Sequence, residues 1–278
     1  MKKISKLFLM LLSLALLLQL VACSNVKVKN NASATKEQLS IDDFKFDIVK
    51  TFKNEKMYSA ISLTNNSKYD LLGYGIEYGL KNDAPEKELS VYDEIAKELK
   101  LEKKNFVFSS SVDPFTLIES GKSYESLLGL KGYMISLSAE QIQLLSPSFL
   151  AMILVGEDSK LYTAFYSFKD KLWSLNEDHR ELNAISKIEK YKNIKFPKEK
   201  FHIIENEGLS YYHFISFGVG ENDYDDYLNE LRTAGFKDDY AYSSYDLNLK
   251  NSKGNTFRLE YDKKNKQLKV DVYISDNK

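Results

Sequence analysis

Apolar and polar residues alternate over much of residues 44–80, a pattern typical of strands that bury one side only. Three successive runs of this kind begin at Phe44, Met57 and Leu71, and the polar turn 65–68 separates the second from the third. We therefore expect the first part of the folded chain to consist of paired strands.

The third run, residues 71–80, carries Gly73, Gly75 and Gly79 on the side opposite its apolar residues. Glycine weakens a strand, so three on one side indicate a close approach by another backbone. We prefer tight packing inside the domain as the interpretation, and a ligand groove is the alternative.

Helical spacing interrupts the strands twice. Residues 86–100 place apolar side chains three and four apart among charges, which predicts an inserted helix. Ser138 and Gln141 have the spacing of a capping box, so a second, short helix is expected to begin there and to end at Pro147. The remaining strands of this first domain are predicted at 106–112, 132–137, 149–155, 162–168 and 172–175.

The first domain is therefore placed at residues 41–175, and residues 176–195, rich in charge, are predicted to form a helical linker. In the second domain, residues 196–278, the clearest helix of the chain begins at Glu221 and ends at Gly235. Strands are expected at 201–204, 209–217, 245–249, 257–261 and 268–274. Two strands, a helix and three strands predict a small α+β sheet with the helix on one face.

The N-terminus has the features of an export signal. Three lysines precede an apolar run from Leu7 to Leu18, which is too short to span a bilayer core as a helix. The following Leu20-Val21-Ala22-Cys23 resembles the bacterial lipobox. The resemblance implies a signal peptide at residues 1–22 and a diacylglyceryl group on Cys23, which would anchor the chain to the outer face of the cell membrane. An ordinary secretory signal is the alternative.

Residues 23–40 are polar and small and are predicted to be a flexible tether behind the lipid anchor. The run 59–80, SAISLTNNSKYDLLGYGIEYGL, resembles the immunoglobulin-like modules of exported Gram-positive proteins. This resemblance implies a β-sandwich in the N-terminal domain and no catalytic residue; the predicted helix at 86–100 departs from it.

The second domain resembles an uncharacterised C-terminal domain common in lipoproteins of Gram-positive bacteria. The matching positions are Phe196-Pro197, Gly218-Val219, Tyr224, Tyr227, Gly235-Phe236 and Tyr261-Asp262. They are structural positions, and the resemblance implies no activity.

Composition supports a β-rich chain, since 19 Tyr and 16 Phe bring the aromatic fraction to 13% and aromatic residues favour strands. Removal of the signal takes away three lysines and leaves 36 basic and 40 acidic residues, a formal charge of −4. Such a chain has no basic excess for binding nucleic acid. The single cysteine is Cys23, so internal disulfides and cysteine metal clusters are excluded.

Reactive motifs are missing from the sequence. The three histidines, His179, His202 and His213, have no zinc-binding spacing, and no nucleophile elbow or phosphate loop occurs. We therefore expect no metal, no cofactor and no catalytic residue. A pair of carboxylates acting on a glycan meets in space rather than in sequence, so that chemistry stays open.

Tyrosines are concentrated in the second domain. Tyr211, Tyr224, Tyr240, Tyr242 and Tyr245 are the candidate interaction surface, because tyrosine suits both contact and hydration. The sequence predicts a lipid-anchored, non-enzymatic module that binds a protein or an envelope polymer. An envelope hydrolase with paired carboxylates and an accessory subunit of a transporter are the alternatives.

Overall fold

The computed structural model describes residues 39–112, 115–183, 196–208 and 210–275, without the side chains of residues 179 and 181. This part of the chain is mainly β, as the alternating pattern and the aromatic content predict. It divides into two compact units. The first takes in the chain to residue 114 with 118–154 and 162–176, and the second takes in 115–117, 155–161 and the chain from residue 177.

The first unit is built on ten strands. They are β1 (Phe44–Lys53), β2 (Lys56–Asn65), β3 (Asp70–Leu80), β4 (Val107–Ser111), β5 (Ser123–Leu127), β6 (Gly129–Leu130), β7 (Tyr133–Met134), β8 (Leu145–Val155), β9 (Lys160–Ser167) and β10 (Leu172–Glu181). They form a three-stranded sheet of order β1-β2-β5 and a seven-stranded sheet of order β10-β9-β8-β3-β4-β6-β7. Buried side chains from both sheets belong to one apolar cluster, so the sheets share a core.

The helices of the first unit are short. They are the α-helices α1 (Asp93–Leu99) and α2 (Ala139–Gln143) and three 3₁₀ helices at Ile41–Asp43, Glu88–Tyr92 and Lys103–Asn105. The predicted helix at 86–100 is thus a 3₁₀ turn followed by α1, which ends at Lys100 in the left-handed conformation. The predicted capping box is confirmed, because the Gln141 amide donates to Ser138 Oγ at 3.2 Å and the Ser138 amide to Gln141 Oε1 at 2.8 Å.

Three predictions for the first unit are wrong in detail. Strand β8 begins at Leu145 and includes Pro147, where a helix was expected to end. The strand predicted at 132–137 is reduced to the two residues of β7. Strand β10 continues to Glu181, inside the range predicted as a helical linker, and residues 184–195 of that range lie outside the described residues.

Gly75 and Gly79 of β3 do not mark a close backbone approach. A Cβ added at Gly75 would contact Ser111 Cβ at an ordinary 3.9 Å, and one at Gly79 would have nothing within 4 Å. Gly73 has φ 118°, a conformation that favours glycine. The glycine face therefore reflects backbone conformation at Gly73 and no steric need at the other two.

The second unit contains a six-stranded antiparallel sheet of order β11-β12-β16-β15-β14-β13. Its elements are β11 (Phe201–Glu207), β12 (Tyr211–Phe217), α3 (Glu221–Thr233), β13 (Lys237–Ser243), β14 (Asp246–Lys250), β15 (Thr256–Asp262) and β16 (Gln267–Tyr273). The α+β arrangement is as predicted, except that four strands follow the helix where three were expected. Strand β13 was missed because all seven of its residues are exposed and show no apolar alternation.

Helix α3 covers one face of this sheet. Its buried residues Tyr224, Tyr227, Leu228 and Leu231 belong to the same apolar cluster as alternate residues of β12 and β14–β16. The helix ends as predicted at Gly235, which has φ 93°. The amides of Gly235 and Phe236 donate back to the helix, which is the hydrogen-bond pattern of a Schellman motif.

Candidate interaction surface

The six-stranded sheet has a second face that α3 does not cover. We call it the open face, and its residues alternate with those under α3. Near Phe217 and Gln267 the residues of this face are buried as well. Cross-strand register aligns five of them in a single row, in the order His213, Asp271, Arg258, Asn248, Tyr240. The sequence predicted four of the five strands that contribute to this row and missed β13, and the row itself depends on register, which could not be read from the sequence.

His213 lies at the end of the row on β12. Its Nδ1 donates to Asp271 Oδ1 at 2.7 Å, and its Nε2 is 3.1 Å from Glu205 Oε2. Hydrogen bonds to Asp271 and then Glu205 raise the pKa of His213 to about 9, against the opposing effect of burial. The imidazole is therefore protonated at neutral pH.

Tyr211 completes this cluster from the neighbouring position on the same face. Its hydroxyl donates to the same Asp271 Oδ1 at 2.7 Å, and its ring lies 4.8 Å from that of Tyr273 on β16. Burial, together with the hydrogen bond to Asp271, raises the pKa of Tyr211 above its ordinary value. Burial also opposes ionisation of Asp271, but the bonds from His213 and Tyr211 outweigh it and lower the pKa of this carboxyl.

His213 cannot act as a general base while it is protonated. Both nitrogens of His213 are bonded to carboxylates, and a protonated imidazole has no lone pair to accept a proton. The imidazole thus bridges the carboxylates of Glu205 and Asp271. The geometry is that of an ion pair that fixes the sheet surface.

Tyr240 and Tyr242 lie at the other end of the open face, on the edge strand β13. They are 56% and 66% exposed, and their rings are perpendicular with centroids 4.6 Å apart. A bulge between Asp238 and Tyr240 shifts the register, so that Tyr240 is opposite Asn248 on the open face. This pair is therefore exposed on the sheet surface, and its role in binding stays a prediction.

Two of the candidate tyrosines belong elsewhere. Tyr224 is only 1% exposed, stacks on Tyr261 at 4.7 Å on the helix side, and donates its hydroxyl to the Ser244 carbonyl. Tyr245 is half-buried against the same rings and donates to Glu221 Oε1 at 2.6 Å. The prediction of a five-tyrosine surface is thus wrong for Tyr224 and Tyr245. Of the other three, Tyr211 lies at one end of the open face, and Tyr240 and Tyr242 lie at the other.

Sequence reasoning missed Arg258, Asn248 and Asp271. Arg258 Nε lies 3.6 Å from Asp246 Oδ1, and Asn248 separates this arginine from Tyr240 in the row. The available signal was weak, since it consisted of polar residues at alternate positions in predicted strands. Nothing in the sequence distinguished them from other exposed residues.

The other histidines do not add a reactive site. His202 is buried, stacks on Phe196 with ring centroids 4.1 Å apart, and has its Nδ1 2.5 Å from Glu199 Oε1. The side chain of His179 lies outside the described residues. Within the described ranges, no group of three or more His, Cys, Asp or Glu side chains is arranged to hold a metal ion.

Comparison with protein-family models gives no match, and comparison with curated proteins gives none either. Among the residues that the structure describes, no helix combines the length and apolar character needed to span a bilayer. Cys23, the predicted lipidation site, lies outside those residues. The predicted export signal and the open face are therefore the two features that bear on function.

Proposed function

We propose that this chain is a lipid-anchored, non-enzymatic binding module at the outer face of a bacterial cell membrane, with the open face as its contact surface. The observation that carries the binding role is the exposed pair Tyr240 and Tyr242, joined across the sheet to Arg258 and Asn248 by register. Exposed tyrosine and arginine are enriched at recognition surfaces.

The N-terminal sequence supports the lipid anchor. The lysines, the apolar run 7–18 and Leu20-Val21-Ala22-Cys23 support cleavage before Cys23 and its lipidation. Two acyl chains on that residue would give stable membrane attachment. The two sheets with a shared core in the first unit support the immunoglobulin-like assignment of that unit as a spacer or second binding module.

Anchoring is tested by replacing the one residue that would carry the lipid. We expect the full chain expressed in a Gram-positive host to sediment with membranes and to incorporate labelled palmitate, and Cys23→Ala to lose the label. Ser24→Ala is the matched control and should behave like the natural chain. Equal labelling of Cys23→Ala would reject lipidation at this residue.

The contact surface is tested in intact cells by chemical crosslinking. The double variant Tyr240→Ser, Tyr242→Ser should reduce recovery of crosslinked envelope material several-fold. Tyr133→Ser is the control, because Tyr133 is similarly exposed, at 63%, but lies in the first unit. Equal loss in both variants, or in neither, would contradict the assignment of binding to the open face.

A further inference from the structure

Two lysines face each other at one end of the open face. Lys237 on β13 and Lys250 on β14 are register partners, and both are exposed. Like charges directly opposite each other destabilise an antiparallel pair. Within the described part of the chain neither lysine has a carboxylate close enough to form an ion pair. Their positive charges are therefore free for an external anion.

Tyrosines occupy nearby register positions of the same sheet. Tyr240 is in the adjacent row of β13, opposite Asn248. In the row of Lys250, the register partner on β15 is Thr256, and the partner of Thr256 on β16 is the half-exposed Tyr273. Neighbouring strands are about 4.8 Å apart, so the row from Tyr273 on β16 to Lys237 on β13 spans roughly 14 Å. A ligand that covers this row must be extended.

The acidic residues of the open face do not cancel this charge. Asp271 is bonded to His213 and Tyr211, and Asp246 lies 3.6 Å from Arg258. Farther along the sheet, Glu260 is the register partner of Lys269. Asp271 and Asp246 are thus matched with donors or a cation, whereas neither Lys237 nor Lys250 forms an ion pair within the described residues, although the exposed Asp239 lies between Lys237 and Tyr240 on β13.

We propose that this lysine–tyrosine patch, Lys237, Lys250, Tyr240, Tyr242 and Tyr273, binds an extended anionic polymer of sugars or polyols. The lysines pair with its phosphate or carboxylate groups, and the tyrosine rings pack against the carbon skeleton between them. This inference rests on the proposed function, because it names the chemistry of the partner that the same face contacts.

The full chain, purified in mild detergent, is run on native gels that contain poly(glycerol phosphate), polygalacturonate or dextran. Migration is normalised to a gel without polymer. We expect retardation by one or both anionic polymers and none by neutral dextran. Stronger retardation by poly(glycerol phosphate) identifies a phosphodiester ligand, and stronger retardation by polygalacturonate identifies a carboxylate ligand.

The double variant Lys237→Gln, Lys250→Gln should bind about tenfold more weakly, since both charge pairs with the polymer are lost. The chain offers a matched control in Lys53 and Lys56, which also face each other but lie at the end of the β1–β2 hairpin. Lys53→Gln, Lys56→Gln removes the same charge and should bind as the natural chain does. Circular dichroism of both variants checks that they fold.

Three results would overturn the inference: no retardation by either anionic polymer, equal retardation by dextran, or equal losses in the two lysine pairs. If crosslinking still depends on Tyr240 and Tyr242 while no polymer is bound, the proposed function stands and this partner chemistry is wrong. Crosslinking of an acidic protein that depends on the patch residues, with no polymer binding, would lead to the same conclusion.

Discussion

His213 and Asp271 are register partners on β12 and β16, and the imidazole Nδ1 lies 2.7 Å from the carboxylate Oδ1. Glu205 contacts the other nitrogen at 3.1 Å, so a single cation joins two carboxylates across the sheet surface. The stability of the second unit is consequently linked to the protonation of one side chain.

The pH dependence of stability follows from the pKa of His213, which is raised from 6.5 to about 9 in the folded chain. Folding thus favours the protonated form. The stabilisation is fully present below pH 6.5, declines as the pH rises, and is lost above about 9; its size is on the order of 3 kcal/mol.

Urea unfolding at pH 6 and pH 9.5 measures this loss, with His213→Gln as the reference. The natural chain should lose more stability between the two pH values than the variant does, because the variant lacks the titrating group. Parallel pH profiles for the two proteins would show that the ion pair contributes nothing to folding.

Tyr224 is expected to behave as a core residue although the sequence placed it on the interaction surface. Its ring is buried against Tyr261 under α3, so Tyr224→Ala should destabilise the second unit by about 3–5 kcal/mol. Tyr242→Ala removes an exposed ring and should cost less than about 1 kcal/mol. Thermal unfolding of both variants distinguishes the two environments. Similar losses of stability in the two variants would contradict the assignment of Tyr224 to the core and Tyr242 to the surface.

The sequence predicted most of the second unit because burial left a readable pattern. Strands β14, β15 and β16 alternate buried and more exposed residues. Helix α3 has an apolar stripe and is bounded by Gly220 at its N-cap and by Gly235 after its last turn. Strand β13 has no buried residue, so no hydrophobic period could reveal it. Its two bulges place Tyr240 on the open face, and sequence patterns do not give bulge positions.

The sequence also assigned Tyr224 to the wrong environment. Tyr224 and Tyr227 shared the helical stripe that predicted burial, but composition alone grouped Tyr224 with Tyr240 as surface candidates. The His213–Asp271 pair joins residues 58 positions apart and depends on register between β12 and β16. Local sequence patterns contain no information about that distance.

Two glycines should respond in opposite ways to the same substitution. Gly218 has φ 77°, and an added Cβ would lie 2.8 Å from Lys200 Cβ, so Gly218→Ala should destabilise the chain by more than about 1 kcal/mol. Gly79 has nothing within 4 Å of an added Cβ, and Gly79→Ala should be neutral or stabilise by up to about 1 kcal/mol. Comparison of melting temperatures tests both, and a loss at Gly79 would restore a close packing role for the β3 glycines.

Asn65 holds the turn between β2 and β3 with a fully bonded side chain. Its Nδ2 donates to the carbonyls of Tyr69 at 2.8 Å and Ile118 at 3.1 Å, and its Oδ1 accepts from the amide and hydroxyl of Ser67. The side chain is completely buried, so its loss leaves several polar groups without partners. Asn65→Ala should therefore destabilise the first unit by about 2–4 kcal/mol.

The adjacent Asn66 is the control for this prediction, since it has the same chemistry and an exposed side chain. Asn66→Ala should change stability by less than about 0.5 kcal/mol. Asn65→Asp separates the two halves of the network, because a carboxylate keeps the acceptor for Ser67 but cannot donate to Tyr69 or Ile118. Urea unfolding should rank the stabilities as Asn66→Ala above both Asn65 variants; equal stability of the two alanine variants would mean that the turn is held by its backbone alone.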